Sequence, residues 1–256
     1  MNVEGLDIEL RDQTERFRKI EAESETLRAA PNGAYLVVRA DGVKASKRHL
    51  KDVMENRKFT DAISRAVVTC GVLWRSWAPN GAPPYLCGAV QFGDEVSFVI
   101  GPGPNHFERR LLKMTTTLAS TLSAAATAAF AQRTAGGHPE IVAFDGRPLV
   151  LGGSAAVHDY IRCRWLCAIR LVINKILRIR RVLSEQEQYG SDKLFDSIER
   201  TNAHLVRAGL ANEVPKACAD FRLHAPGDSG NFRSTAISAR LCGPHEFGAQ
   251  LPGLRL

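Results

Sequence analysis

Tyr35-Leu36-Val37-Val38-Arg39, continued by Ala40-Asp41-Gly42, is the stretch on which the fold turns. Its apolar run follows Pro31-Asn32-Gly33 and reads as a short strand bounded by turn residues, delivering Asp41-Gly42 at its end. Upstream, residues 6–28 are highly charged and carry Leu10, Phe17 and Ile20 as the apolar positions of a helix. Downstream, residues 47–70 form a second helical stretch, with Leu50, Val53, Met54, Phe59, Ile63 and Val67 at helical spacing and an interruption near Asn56. Residues 71–84 read as a loop in which Trp74 and Trp77 are packing anchors.

Two short runs, residues 85–91 and 96–100, are joined by Phe92-Gly93-Asp94-Glu95 as a hairpin with an acidic tip. A long helix is predicted from Asn105 to the Gly136-Gly137 stop, then a strand over 141–145 and a helix over 155–183. Beyond Glu187 the periodicity weakens. Strands and helices interleaved around an antiparallel hairpin predict an α+β fold, a sheet with helices packed on one face and a C-terminal helical segment. Residues 1–225 are expected to form one domain. Residues 226–256, rich in Gly, Pro and Ser, are expected to be a flexible tail.

The 256 residues include 34 Lys+Arg and 27 Asp+Glu, a formal charge of +7, with 45% hydrophobic and 24% charged residues. These values exclude a disordered, collagen-like or disulfide-dense chain. Six cysteines without a Cys-x-x-Cys pair point to a reduced, cytoplasmic protein, and an acidic start with no apolar run predicts no export. Residues 114–132 lack charge, but seven Ser and Thr residues interrupt them, so they read as a helix buried against a sheet rather than a membrane span. The basic surplus suits an acidic partner, a nucleotide or RNA, as well as a merely soluble surface. The histidines form no metal spacing, and neither a nucleophile elbow nor a P-loop is present.

Asp41 at a strand end and Asp94-Glu95 at a hairpin turn can converge if the two elements are neighbours. With Gly42 allowing close backbone approach, they would form the oxygen cage that Mg²⁺ uses when it also holds substrate phosphates. Asp-Gly and Gly-Asp-Glu also serve as ordinary turns, so pattern alone leaves both readings open. Arg109, Arg110 and Lys113, read as the start of a helix, are candidates for a triphosphate clamp, the alternative being a solvated basic helix start. From Asp159 to Arg181 one acid stands against seven basic residues, a bias that favours RNA or triphosphate contact over a solvated face. Arg164, Arg170, Lys175, Arg178 and Arg181 are the RNA-contact candidates.

Five motifs, in order over residues 5–185, resemble those of the tRNA(His) guanylyltransferase family. They are Val37-Val38-Arg39-Ala40-Asp41-Gly42, Gly93-Asp94-Glu95-Val96-Ser97-Phe98, Arg109-Arg110 with Lys113, Phe144-Asp145-Gly146-Arg147, and Asp159-Tyr160-Ile161-Arg162-Cys163-Arg164. The resemblance implies a palm like that of nucleotide polymerases, adding guanosine to a tRNA in the 3′-to-5′ direction after ATP or GTP activates the 5′ end. It implies two Mg²⁺ ions on Asp41, the Gly42 carbonyl and Asp94, with Glu95 as their acidic neighbour. Arg39, Gly42, Arg109, Arg110 and Lys113 would bind the nucleotide, and the protein would be a homotetramer.

The chain also departs from the pattern. Trp165, Cys167, Ile169 and Leu171 lie in a stretch where the family helix carries an amide, an acid, a histidine and an asparagine. Gly93 replaces a serine, Val43 an arginine, and Lys47-Arg48-His49-Leu50 a Phe-x-x-Pro-x-Asp segment. Three expectations stand: tRNA(His) guanylylation through altered contacts, a divergent polymerase or nucleotidyltransferase acting on another RNA or nucleotide, or a nucleotide-binding module with weakened catalysis.

Overall fold

The computed structural model describes residues 3–45, 57–76, 86–102, 106–131, 141–190, 193–218, 221–226 and 232–236. Trp77 and the 47–50 departure lie outside them. The order is α1 (Leu6–Glu25), β1 (Tyr35–Gly42), α2 (Lys58–Ser76), β2 (Leu86–Phe92), β3 (Glu95–Ile100), α3 (Leu111–Ala131), β4 (Phe144–Leu151), α4 (Ser154–Ile179), α5 (Glu185–Tyr189), α6 (Ile198–Arg207), α7 (Glu213–Ala217), β5 (Arg222–Pro226) and β6 (Phe232–Ala236). The strands form one six-stranded antiparallel sheet in the order β4-β1-β3-β2-β5-β6.

Helices cover both faces of this sheet, where the sequence reading expects one. Leu36, Val38 and Ala40 of β1 join Ile63, Val67, Leu118 and Leu122 in a core under α2 and α3. Tyr35 and Val37 join Phe17, Ile161, Ile173 and Leu205 in a second core under α1, α4 and α6. A strand buried on both sides reads as a continuous apolar run rather than an alternation, which is what residues 35–38 are.

The uncharged helix α3 lies against the sheet. On β4, a Cβ added at Gly146 would come within 3.0 Å of both Ala119 Cβ and Thr115 Cγ2, so glycine and alanine let helix and strand approach. The α3 hydroxyls satisfy the start of β4: Phe144 N donates to Ser123 Oγ at 3.0 Å, and Val142 N to Thr127 Oγ1 at 3.0 Å. Among the described residues, no helix is long and apolar enough to cross a membrane. Among the described residues, Cys70, Cys87, Cys163, Cys167 and Cys218 are buried and form no disulfide.

Several boundaries differ from expectation. The α2 helix continues to Ser76, so Trp74, fully buried, anchors its last turn rather than a loop. The α3 helix begins at Leu111, because Phe107, Glu108 and Arg109 have φ of 51°, 55° and 56°, a left-handed turn that a right-handed helix cannot include. Residues 232–236, placed in the tail by composition, are strand β6, paired with β5 from Arg222↔Ala236 to Pro226↔Phe232. Buried Phe232 fixes this hairpin to α2, its ring lying where a Cβ on Gly71 would be 2.5 Å away.

Candidate functional site

Strand register assembles the site rung by rung. Asp41 is paired with Glu95 of β3 on one side and Asp145 of β4 on the other. One rung further in, Arg39 lies between Ser97 and Arg147, and beyond it Val37 lies between Val99 and Leu149. Paired residues share a sheet face, and that of Val37, Val99 and Leu149 is the one under α1 and α4. An acidic rung thus closes the sheet end, with a basic rung behind it.

Asp94 reaches the same place from the β2–β3 turn. Gly93 takes φ +66°, a left-handed conformation suited to glycine, so the hairpin closes in two residues. Gly42 N then donates to Asp94 O at 3.2 Å. A Cβ on Gly42 would stand 2.8 Å from Ala45 Cβ and 3.3 Å from Asp94 Cβ, so only glycine admits the turn this closely. Burial first, then the Glu95 and Asp94 charges, push the Asp41 carboxyl up to about 6, against the opposing pull of Arg39. Asp41 therefore sits in an excess of negative charge.

The other groups are held from the helices. Glu95 is buried, and Arg164 of α4 grips it with two bonds, Nε donating to Oε1 at 2.7 Å and the terminal nitrogen to Oε2. Burial opposes the Arg164 charge, but Glu95 overrides it and holds the guanidinium well above its ordinary pKa. Tyr160 shares a hydrogen bond with Ser97 at 2.9 Å, and burial raises its phenol. Glu21 of α1 bridges Arg39 at 3.3 Å and Arg147 at 3.2 Å, and Arg147 also meets Asp145 at 3.4 Å. Lys175 Nζ lies 4.0 Å from Asp94 Oδ1.

Between α1, α4 and the basic rung lies a cavity of about 240 Å³, lined among others by Arg18, Arg39, Arg147, Arg164 and Arg170 with Glu21 as the acid. Among the described residues, the buried Nε–H groups of Arg39 and Arg170 have no acceptor. Cys163 and Cys167 also line it; the hydrogen bond from Cys163, with Arg164 and Arg170 nearby, lowers the Cys167 thiol.

The structure thus brings together Asp41, Gly42, Asp94, Glu95 and Arg39. It does not bring Arg109, Arg110 and Lys113 to them. Arg109 is buried, and its guanidinium donates to Ala30 O at 3.1 Å and Ala34 O at 2.7 Å, at the entry to β1. Asp41 is at the exit, seven residues or about 23 Å along the strand. Arg109 precedes α3 and shares no helix face with Lys113, whose ammonium sits 4.7 Å over the Phe107 ring; Arg110 pairs with Glu108 at 3.7 Å.

The basic bias of α4 also has a different cause from the expected one. Besides Arg164 and Lys175, Arg162 meets Glu9 at 2.8 Å, Arg170 meets Asp196 at 3.6 Å, Arg178 meets Glu185 at 3.3 Å and Arg180 meets Glu213 at 2.8 Å. These acids come from other elements, so a same-helix charge count sees only the basic half. Arg181, exposed at φ 55° beyond the helix end, has no such acid among the pairs described. Asp145 and Arg147 carry a signal in the sequence, the Phe144–Arg147 motif; Glu21 and Arg18 carry no local signal.

An antiparallel sheet with carboxylates at the end of an interior strand and at the adjoining hairpin turn defines a palm-type α+β fold. Solved structures with this fold include a bacterial tRNA(His) guanylyltransferase (Thg1)-like protein in complex with ATP, with a TM-score of 0.64, 14% identity, and 93% of this chain and 98% of that one covered. They also include tRNA(His) guanylyltransferase from Saccharomyces cerevisiae, with a TM-score of 0.61, 16% identity, and 85% and 96% covered. A bacterial protein of the same description in complex with GTP has a TM-score of 0.60, 15% identity, and 93% and 98% covered. No family model matches the sequence, and no curated protein matches it.

Proposed function

We propose that the protein is a Mg²⁺-dependent nucleotidyltransferase that adds guanosine to the 5′ end of a tRNA, in the 3′-to-5′ direction, after ATP or GTP activates that end. The observation that carries this reading is the meeting of Asp41-Gly42 with Asp94 beside a cavity lined by Arg18, Arg39, Arg147, Arg164 and Arg170. The donor set fits Mg²⁺: two carboxylates and a backbone carbonyl are hard oxygen ligands, and the Asp41 carboxyl, raised first by burial, is raised further by the Glu95 and Asp94 charges, which a cation would offset.

In this reading Asp41, the Gly42 carbonyl and Asp94 hold two Mg²⁺ ions. Bound there, the ions would acidify the attacking 3′-hydroxyl and offset phosphate charge. Glu95, committed to Arg164, fixes the hairpin to α4. Arg39, Arg147 and Arg170 hold the phosphate chain; Arg39 and Arg147 are aimed by Glu21. The reading carries with it a cytoplasmic homotetramer.

One observation favours an acceptor other than tRNA(His). Trp165, Cys167 and Ile169 are 2%, 5% and 1% exposed, so these three side chains are buried and offer an RNA no polar contact. The test is incubation with Mg²⁺, ATP, labelled GTP and 5′-monophosphorylated tRNA(His) lacking its extra guanosine. A one-nucleotide 5′ extension that disappears in Asp94→Ala is the expected result. No extension, with GTP still bound only when Mg²⁺ is present, selects the other-acceptor reading; no Mg²⁺-dependent GTP binding overturns both.

A further inference from the structure

Behind the Asp94 turn, on the sheet face covered by α2, lies a fully buried polar cluster that the proposed chemistry does not use. At its centre is Gln91, the penultimate residue of β2. Its Nε2 donates to Thr60 O at 3.1 Å and to Gly93 O at 3.1 Å. Its Oε1 accepts from Ser64 Oγ at 2.8 Å and lies 3.2 Å from His224 Nε2. A carboxamide offers two donor hydrogens and two acceptor lone pairs, and all four are engaged, so the side chain has one orientation. Burial, with Arg222 adding to it, pushes His224 down to about 3; the ring is therefore neutral, and the Nε2–H tautomer makes it the donor to Gln91.

We propose that Gln91, locked by His224 of β5, is the positioning residue for Asp94. The turn is held at two successive carbonyls: Gly93 O by Gln91 and Asp94 O by Gly42 N. The second bond ties the turn to β1; the first ties it to α2 and, through His224, to the last hairpin of the sheet. That hairpin is thereby tied to the site, although none of its described residues lines the cavity. A core that only needed filling would accept an apolar residue at position 91. A fully engaged amide aimed at the carbonyl before Asp94 fixes where that carboxylate stands.

This inference rests on the reading of Asp41 and Asp94 as metal ligands, so its test separates the two. The full chain is compared with Gln91→Met, His224→Phe and His224→Gln, the last replacing the Nε2–H donor with an amide N–H. Three readouts are taken: Mn²⁺ affinity by electron paramagnetic resonance, hydrogen exchange of the peptide spanning residues 92–96, and urea stability. Gln91→Met is expected to speed exchange in the turn and weaken Mn²⁺ at least tenfold; His224→Phe does the same to a smaller degree, and His224→Gln returns both toward the parent values. Stability lost with exchange and Mn²⁺ affinity unchanged would overturn the proposal, leaving Gln91 a core residue. If Gln91→Met does not fold, the two His224 variants decide by the same criteria. If the parent protein binds no Mn²⁺, the ligand reading falls, and turn exchange alone decides whether Gln91 positions residue 94.

Discussion

Arg164 and Glu95 illustrate how a charged residue's surroundings determine its work. By sequence, Arg164 belongs to a basic stripe suited to RNA; in the fold its side chain is 17% exposed and forks onto a carboxylate that is 11% exposed. A guanidinium so committed cannot bind a phosphate backbone without abandoning a buried acid. Removing one partner of a buried pair costs about 3–5 kcal/mol, whereas replacing both with apolar residues is often close to neutral. Arg164→Leu is therefore expected to destabilise the protein by about 3 kcal/mol or more, and Arg164→Leu with Glu95→Leu by clearly less than the single change. Urea unfolding of the four proteins in a double-mutant cycle measures the coupling. Additive effects, within about 0.5 kcal/mol, would show that the pair is not an energetic unit.

At the scale of elements, legibility followed the range of the interactions. The β1 strand, the β2–β3 hairpin with its two-residue turn, and helices α1, α3 and α4 were readable because their signals are local: apolar runs, Gly-Asp chemistry and helical spacing. Placement of Asp41, Gly42 and Asp94 was readable for the same reason, since strand ends and turns fix it. The clamp residues and the basic stripe were not, because Arg109 answers to carbonyls at positions 30 and 34, and the α4 cations answer to Glu9, Asp94, Glu95, Glu185, Asp196 and Glu213. The unbroken apolar run at 35–38 did carry the signal for two covered faces. The β5–β6 hairpin was hidden because Gly, Pro and Ser dominate the composition there, whereas its attachment is long-range: β5 pairs with β2, and the buried Phe232 ring of β6 seats on α2. That attachment is testable: on Gly71→Ala the new methyl would collide with the Phe232 ring, which must shift. A loss of about 1–3 kcal/mol is expected, together with faster proteolysis between residues 226 and 232. Unchanged stability and protease resistance would mean that Phe232 does not seat on α2.

At the scale of the molecule, one sheet separates two cores and supplies residues to both, so neither helical layer keeps a complete apolar surface without it. The candidate site draws on the same shared parts: β1, the β2–β3 turn, β4, α1 and α4. A ligand that needs all of them binds only the fully assembled chain, and its binding free energy adds to the stability of the whole. At one hundred times its dissociation constant, GTP with Mg²⁺ is expected to stabilise the fold by about 2.7 kcal/mol. For a chain of this size that raises Tm by about 5–10 °C in a single transition. Near-ultraviolet and far-ultraviolet circular dichroism, followed together, read both quantities. Asp94→Ala should keep the transition and lose the shift, because it removes a ligand without touching either core; Gly71→Ala should start from a lower Tm and keep the shift. A shift of equal size in Asp94→Ala would remove the β2–β3 turn from the binding site. Two separated transitions would show instead that the layers on opposite faces of the sheet unfold independently, contrary to what their shared strands require.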